Sequence, residues 1–133
     1  MTASLDEARR FLSLASDDLA AFRTLAATPH IREAIAIFHA QQSIEKCLKA
    51  VLFANEVEFR RTHDLYELAD RIEQASVALP CSAEELGLLN PYAVEFRYGD
   101  QAIPLITREE AEALAQGILK WANAIVEEKE RSQ

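Results

Sequence analysis

The sequence predicts an all-α protein, an up-and-down bundle of about five helices. Three observations carry that expectation. Gly and Pro are scarce, 3 and 4 in 133 residues, and they are the residues least compatible with helix interiors. Apolar residues recur at alternating steps of three and four over long segments, which lines one face of a helix and not of a strand. Several segments open with Ser, Asp or Thr and carry Glu three residues on, the spacing of an N-terminal capping box.

The first helix is expected from roughly Ser4 to Ala27. Leu5, Ala8, Leu12, Ala15, Leu19, Phe22 and Ala26 make its apolar face, Ser4 and Glu7 have capping-box spacing, and Thr28-Pro29 breaks it. The second runs from about Pro29 to Asn55 and has two apolar stripes: Ile37, Ala40, Ile44, Cys47, Val51 and Ala54, and Ile31, Ala34, Ile35, Phe38, Leu48 and Leu52. A helix apolar on two sides is central to a bundle. Gln41, Gln42 and Glu45 interrupt the second stripe, so they are candidates for partly buried polar groups that need partners.

A third helix is expected from Asp64, with Glu67 three residues on and Leu65, Leu68, Ile72 and Ala75 on its face. Ser82 and Glu85 open a fourth, with Leu86, Leu89, Ala93, Val94 and Phe96 apolar; Pro91 kinks or splits it. Gly99, Asp100 and Pro104 mark a loop. Thr107 caps the last helix, with Glu109 and Glu110 in its first turn and Ala111, Leu114, Ile118, Trp121 and Ile125 on its face. The chain reads as one domain over residues 1–133, with its core about 5–127 and a charged tail, 128–133, expected to fray.

A formal net charge of −8 disfavours binding of long nucleic acid through overall charge, though not through a local basic cleft. Two cysteines, Cys47 and Cys81, are too few for a disulfide framework or a structural zinc site. The opening MTASLDEARRF has no signal-peptide apolar core, and no stretch approaches the roughly 18 apolar residues of a membrane span. The expectation is a cytoplasmic protein with reduced thiols. No phosphate loop, His-Glu-x-x-His or paired-cysteine motif occurs, and His30, His39 and His63 have no common ligand spacing. Neither a metal nor a cofactor is expected.

Three polar runs could carry function. In QQSIEKCLKA, Glu45 and Lys49 are four apart, as are Gln42 and Lys46; the pattern fits helix-supporting pairs on a solvated face, or a patch for phosphate or another helix. In RRTHD, Arg61 and His63 precede a helix start, where backbone N–H groups favour anions. Capping by Thr62 or Asp64 accounts for the same residues and draws on the same field. In EFRYGD, Arg97 can grip phosphate and Tyr98 can stack on a base; equally, Tyr98 can be packed and Arg97 paired with Glu95 or Asp100.

Phe38–Phe53 (FHAQQSIEKCLKAVLF), then Arg61–Leu68 (RTHDLYEL), EFRYGD and the Ala/Trp/Ile run from Ala111 to Ile125 together resemble the HEPN (higher eukaryote and prokaryote nucleotide-binding) domain over roughly residues 5–127. The resemblance implies a HEPN-like helical bundle, commonly a homodimer. It implies a partner as well, since bacterial members often stand beside a minimal nucleotidyltransferase, in many cases as a toxin–antitoxin module. Several HEPN classes are metal-independent ribonucleases with an Arg-x4–6-His motif at a dimer cleft. Here no His follows Arg97 within seven residues, Arg32 and His39 have the spacing but lie near the start of the second helix, and Arg61 and His63 are too close.

The leading expectation is therefore a module that binds a nucleotide, a nucleotidyltransferase, or both through a polar cleft. Lys46, Lys49, Arg61, His63, Arg97 and Tyr98 would bind the ligand, supported by Gln42, Glu45, Asp64 and Asp100. Lys46 and Lys49 would share one anion, and Glu45 would orient a lysine. The alternatives are a ribonuclease acting on RNA, with His63 and Arg61 or Arg97, or His39 and Arg32, as acid–base and phosphate-stabilising groups, and a structural helical module with no small ligand.

Overall fold

Four helices of ten residues or more and two of five make up the computed structural model, which describes residues 2–94 and 106–133. They are α1 (Thr2–Ala26), α2 (Glu33–Ala54), α3 (Leu65–Gln74), α4 (Ala83–Gly87), α5 (Asn90–Val94) and α6 (Arg108–Arg131). No strand occurs among the described residues. The protein is an all-α bundle.

Helix α2 is its centre and packs against α1, α3, α5 and α6. The stripe Ile37, Ala40, Ile44, Cys47, Val51 and Ala54 is buried throughout. The second stripe is buried only from Leu48 and Leu52 onward, and Ile31 stands outside the helix and exposed. The neighbouring helices thus cover most of the apolar surface of α2.

Pairing fixes the helix directions. Arg9 and Arg23, near the two ends of α1, reach Glu130 at 2.6 Å and Glu112 at 2.8 Å, near opposite ends of α6. Ser43 Oγ donates to Ala15 O at 2.8 Å, and Phe11 packs on Phe53 with ring centroids 5.3 Å apart. Helix α1 is thus antiparallel to both α2 and α6, as the up-and-down order requires.

Several boundaries differ from the sequence expectation for local reasons. Helix α1 starts at Thr2, before Ser4, and Glu7 bonds Arg10 instead of closing a capping box. Helix α2 starts at Glu33, not Pro29, because His30 takes φ 70° and turns the chain. The fourth segment splits after Gly87, and Pro91 sits in the first turn of α5, where its missing N–H breaks no helical bond. On α6 the buried stripe is Ala111, Ala115, Ile118, Ala122 and Val126, while Leu114, Trp121 and Ile125 are half-buried. Small side chains face the core here, and Trp121 reaches outward to donate to Ala78 O at 3.0 Å. Helix α6 runs on to Arg131, into the charged tail, and there Arg9 clasps Glu130 with two hydrogen bonds.

The caps at Asp64, Ser82 and Thr107 form as the sequence suggests. Thr107 and Glu110 close a full capping box. Asp64 accepts from Tyr66 N and Glu67 N, and Ser82 from Glu85 N. Helices α2 and α3 both end in a Schellman motif with no glycine: Val57 N bonds Leu52 O, Val77 N bonds Ile72 O, and Glu56 and Ser76 hold φ 55° and 64°. The first of these turns launches the segment that carries Arg60, Arg61 and His63 back across α2.

Candidate functional site

Gln41, Glu45 and Lys49 follow one another at intervals of four on α2 and so share a face. That face lies under the segment between α2 and α3, and all three side chains are buried: Gln41 is 0% exposed, Glu45 3% and Lys49 9%. A carboxylate so placed needs strong donors. Lys49 Nζ supplies one at 2.9 Å from Glu45 Oε2. His63 Nδ1 lies 3.0 Å from both Oε1 and Oε2. Gln41 Nε2 is 3.4 Å from Oε1 and 3.5 Å from His63 O, and Gln42 Nε2 donates to Gln41 Oε1 at 2.7 Å. Glu45 is therefore the hub that joins α2 to the chain entering α3.

The start of α3 is closed to anions. Leu65 N donates to Asn90 Oδ1 at 2.9 Å, and Asn90 Nδ2 in turn donates to Asp64 Oδ1 at 2.9 Å. With Tyr66 N and Glu67 N bonded to Asp64, the first N–H groups are all engaged. Asp64 is a cap that also fastens α5.

Beside this hub opens a groove of about 1070 Å³ between α1, the end of α2, the 55–61 segment and α3. Its walls carry five cations, Arg10, Lys49, Arg60, Arg61 and Arg71, and four carboxylates, Glu7, Glu56, Glu58 and Glu67. Phe11, Phe53 and Phe59 line its apolar side as a ladder with successive centroids 5.3 Å apart. Arg10 lies over Phe11 and bonds Glu7; Arg60 bonds Glu67, which raises the guanidinium pKa further. Arg71 is held by Glu58 O and Gln74, with no carboxylate bonded to it among the described residues. Arg61 is exposed and makes no hydrogen bond or ion pair among the described residues.

The two lysines of the QQSIEKCLKA run do not converge. Lys46 is bonded to Asp18 on α1, whereas Lys49 turns to Glu45. His39 Nδ1 stands 3.6 Å from Asp18 Oδ1, and that buried nitrogen has no hydrogen-bond partner among the described residues. Arg32 is the N-cap residue of α2, two turns before His39. Arg97, Tyr98 and Asp100 lie outside the described residues. The site residues not singled out from sequence are Asp18, Asn90, Arg10, Arg71 and the phenylalanine ladder. Asn90, which reaches across to the start of α3, Arg71 and the ladder all depend on tertiary contacts that no local spacing encodes.

No group of three or more His, Cys, Asp or Glu side chains suited to a metal occurs among the described residues. No helix there is long and apolar enough to cross a membrane. In comparison with known proteins, residues 1–131 match the family model described as HEPN domain. No curated protein matches, and no solved structure matches.

Proposed function

The chain belongs to the HEPN domain family, and from that premise we propose that it is a binding module that takes a nucleotide, or docks a minimal nucleotidyltransferase, through the groove beside Lys49. A toxin–antitoxin-type module, a homodimer and a cytoplasmic setting belong to the same reading. The observation that carries it is the charge distribution. On a chain of net charge −8, five cations against four carboxylates line one groove, and two of the cations, Arg61 and Arg71, have no carboxylate bonded to them among the described residues. The unbonded guanidinium of Arg61, and the charge of Arg71 that no carboxylate neutralises among the described residues, suit phosphate or a partner's carboxylates. The phenylalanine ladder offers an apolar wall to a flat base.

The test is calorimetry of the purified chain with a panel of ribonucleotides, alone and after co-expression with a minimal nucleotidyltransferase. Binding that weakens severalfold in Arg61→Ala and Arg71→Ala supports the groove. Absence of binding in both preparations, with no co-purifying partner, overturns the reading. Cleavage of RNA in the presence of a chelator would replace it with the ribonuclease.

A further inference from the structure

Of the three histidines, His63 is the one whose ring is both fixed and accessible. Its Nδ1 is tied to both oxygens of Glu45 at 3.0 Å, while 71% of its side chain is exposed. His39 is mostly covered, at 29% exposure, and His30 sits on an exposed turn where no ion pair holds it among the described residues.

The hydrogen bond selects a tautomer. A carboxylate that accepts from Lys49 offers Nδ1 an acceptor and no donor, so the neutral imidazole carries its proton on Nδ1. Nε2 then presents an unshared electron pair on the outer side of the ring. Glu45 also stabilises positive charge that develops on the ring when Nε2 forms a bond. Its own position is set by Lys49 and Gln41 inside the bundle, so the ring is oriented by a rigid helix. A nucleophile, a carboxylate that orients it, and a buried shell that orients the carboxylate are the parts of an activated nucleophilic site.

We propose that His63 Nε2 is a phosphoryl-acceptor site, modified by small donors with a labile P–N or acyl-phosphate bond. With phosphoramidate, the Nε2 electron pair attacks phosphorus. The Nε2–P bond forms as the P–N bond of the protonated donor breaks, and ammonia leaves with the bonding pair. The ring is then cationic, and its Nδ1 proton stays in the hydrogen bond to Glu45, whose carboxylate balances the charge. No redox step is involved. The site is distinct from the groove reading, since His63 lies outside the groove lining and the modification needs no nucleotide.

The full chain is incubated with phosphoramidate at neutral pH and mapped by mass spectrometry under alkaline conditions, which preserve the N–P bond. His63 should be labelled about tenfold faster than His30 or His39, and Glu45→Gln, whose amide can donate to Nδ1 and reverse the tautomer, should slow it by about tenfold. His63→Ala should leave only the slow background. Labelling of His30 at the same rate as His63, or an unchanged rate in a folded Glu45→Gln, overturns the proposal. Should Glu45→Gln fail to fold, nitrogen-15 NMR of the wild-type imidazole decides: a protonated Nδ1 and bare Nε2 support the site, and the reverse tautomer overturns it.

Discussion

Lys46 is bonded to Asp18, and the pair clamps α2 to α1 at mid-helix. Its side chains are 23% and 17% exposed, so water screens it only partly. The lysine that a sequence reader would place beside Lys49 on one anion is thereby committed to a neighbouring helix.

Lys46→Ala should therefore lower stability by about 1–3 kcal/mol, because among the described residues Asp18 then keeps only His39, 3.6 Å away, as a basic neighbour. It should leave ligand affinity at the groove unchanged, since Lys46 is not part of its lining. Urea denaturation measures the first and calorimetry the second. A stable variant that has lost ligand binding would return Lys46 to the site.

The helical architecture was legible because its signals are local. Apolar spacing marked the buried faces of α1 and α2, and Asp64, Ser82 and Thr107 cap where the sequence places them. The interruption of an apolar stripe by Gln41 and Glu45 also foretold their burial. What joins them was only half legible: Glu45 and Lys49 sit at helical spacing, but His63 arrives from a different segment. The Lys46–Asp18 and Arg9–Glu130 pairs were invisible for the same reason. Helix α6 shows the limit within one helix: size favours Trp121 and Leu114 as core residues, yet close packing put Ala115 and Ala122 inside.

Ser76→Gly should stabilise the protein. Ser76 holds φ 64° in the Schellman turn after α3, a conformation that strains an L residue by roughly 1–2 kcal/mol and glycine hardly at all. Glycine's greater unfolded-state freedom offsets part of that gain. The net expectation is about 0.5–1 kcal/mol, read as a rise in urea midpoint with unchanged m-value. A lower midpoint would show that the serine hydroxyl contributes more than the strain takes away.

The thiols should be quiet and should make stability fall at alkaline pH. Burial, with Glu85 adding to it, pushes Cys81 from an ordinary 9.0 up to about 11, and full burial pushes Cys47 higher still. Their folded-state values are raised, so this contribution is complete below pH 9, where the unfolded thiols stay protonated. It declines above pH 9 and, for Cys81, is lost as pH rises through about 11. At neutral pH a thiol reagent should modify Cys81 slowly and Cys47 only after denaturation. Rapid modification of both in the native protein would contradict their placement.

Glu45 and Lys49 should behave as a unit. Both are buried, with side chains 4% and 11% exposed, and the carboxylate is also the partner of His63. Removing one charge leaves the other in a poorly hydrated place, so Glu45→Leu alone should cost about 3–5 kcal/mol, and Lys49→Met alone a comparable amount. Replacing both at once removes the desolvation penalty together with the attraction, and the space can be filled with apolar atoms. The double variant should therefore cost less than the sum of the singles, by a coupling of about 1–3 kcal/mol in a double-mutant cycle. Strict additivity would mean that water, not the partner, satisfies each charge. The same double variant removes the carboxylate that orients His63 without leaving a buried charge behind, so it also separates the stabilising role of Glu45 from its effect on the imidazole.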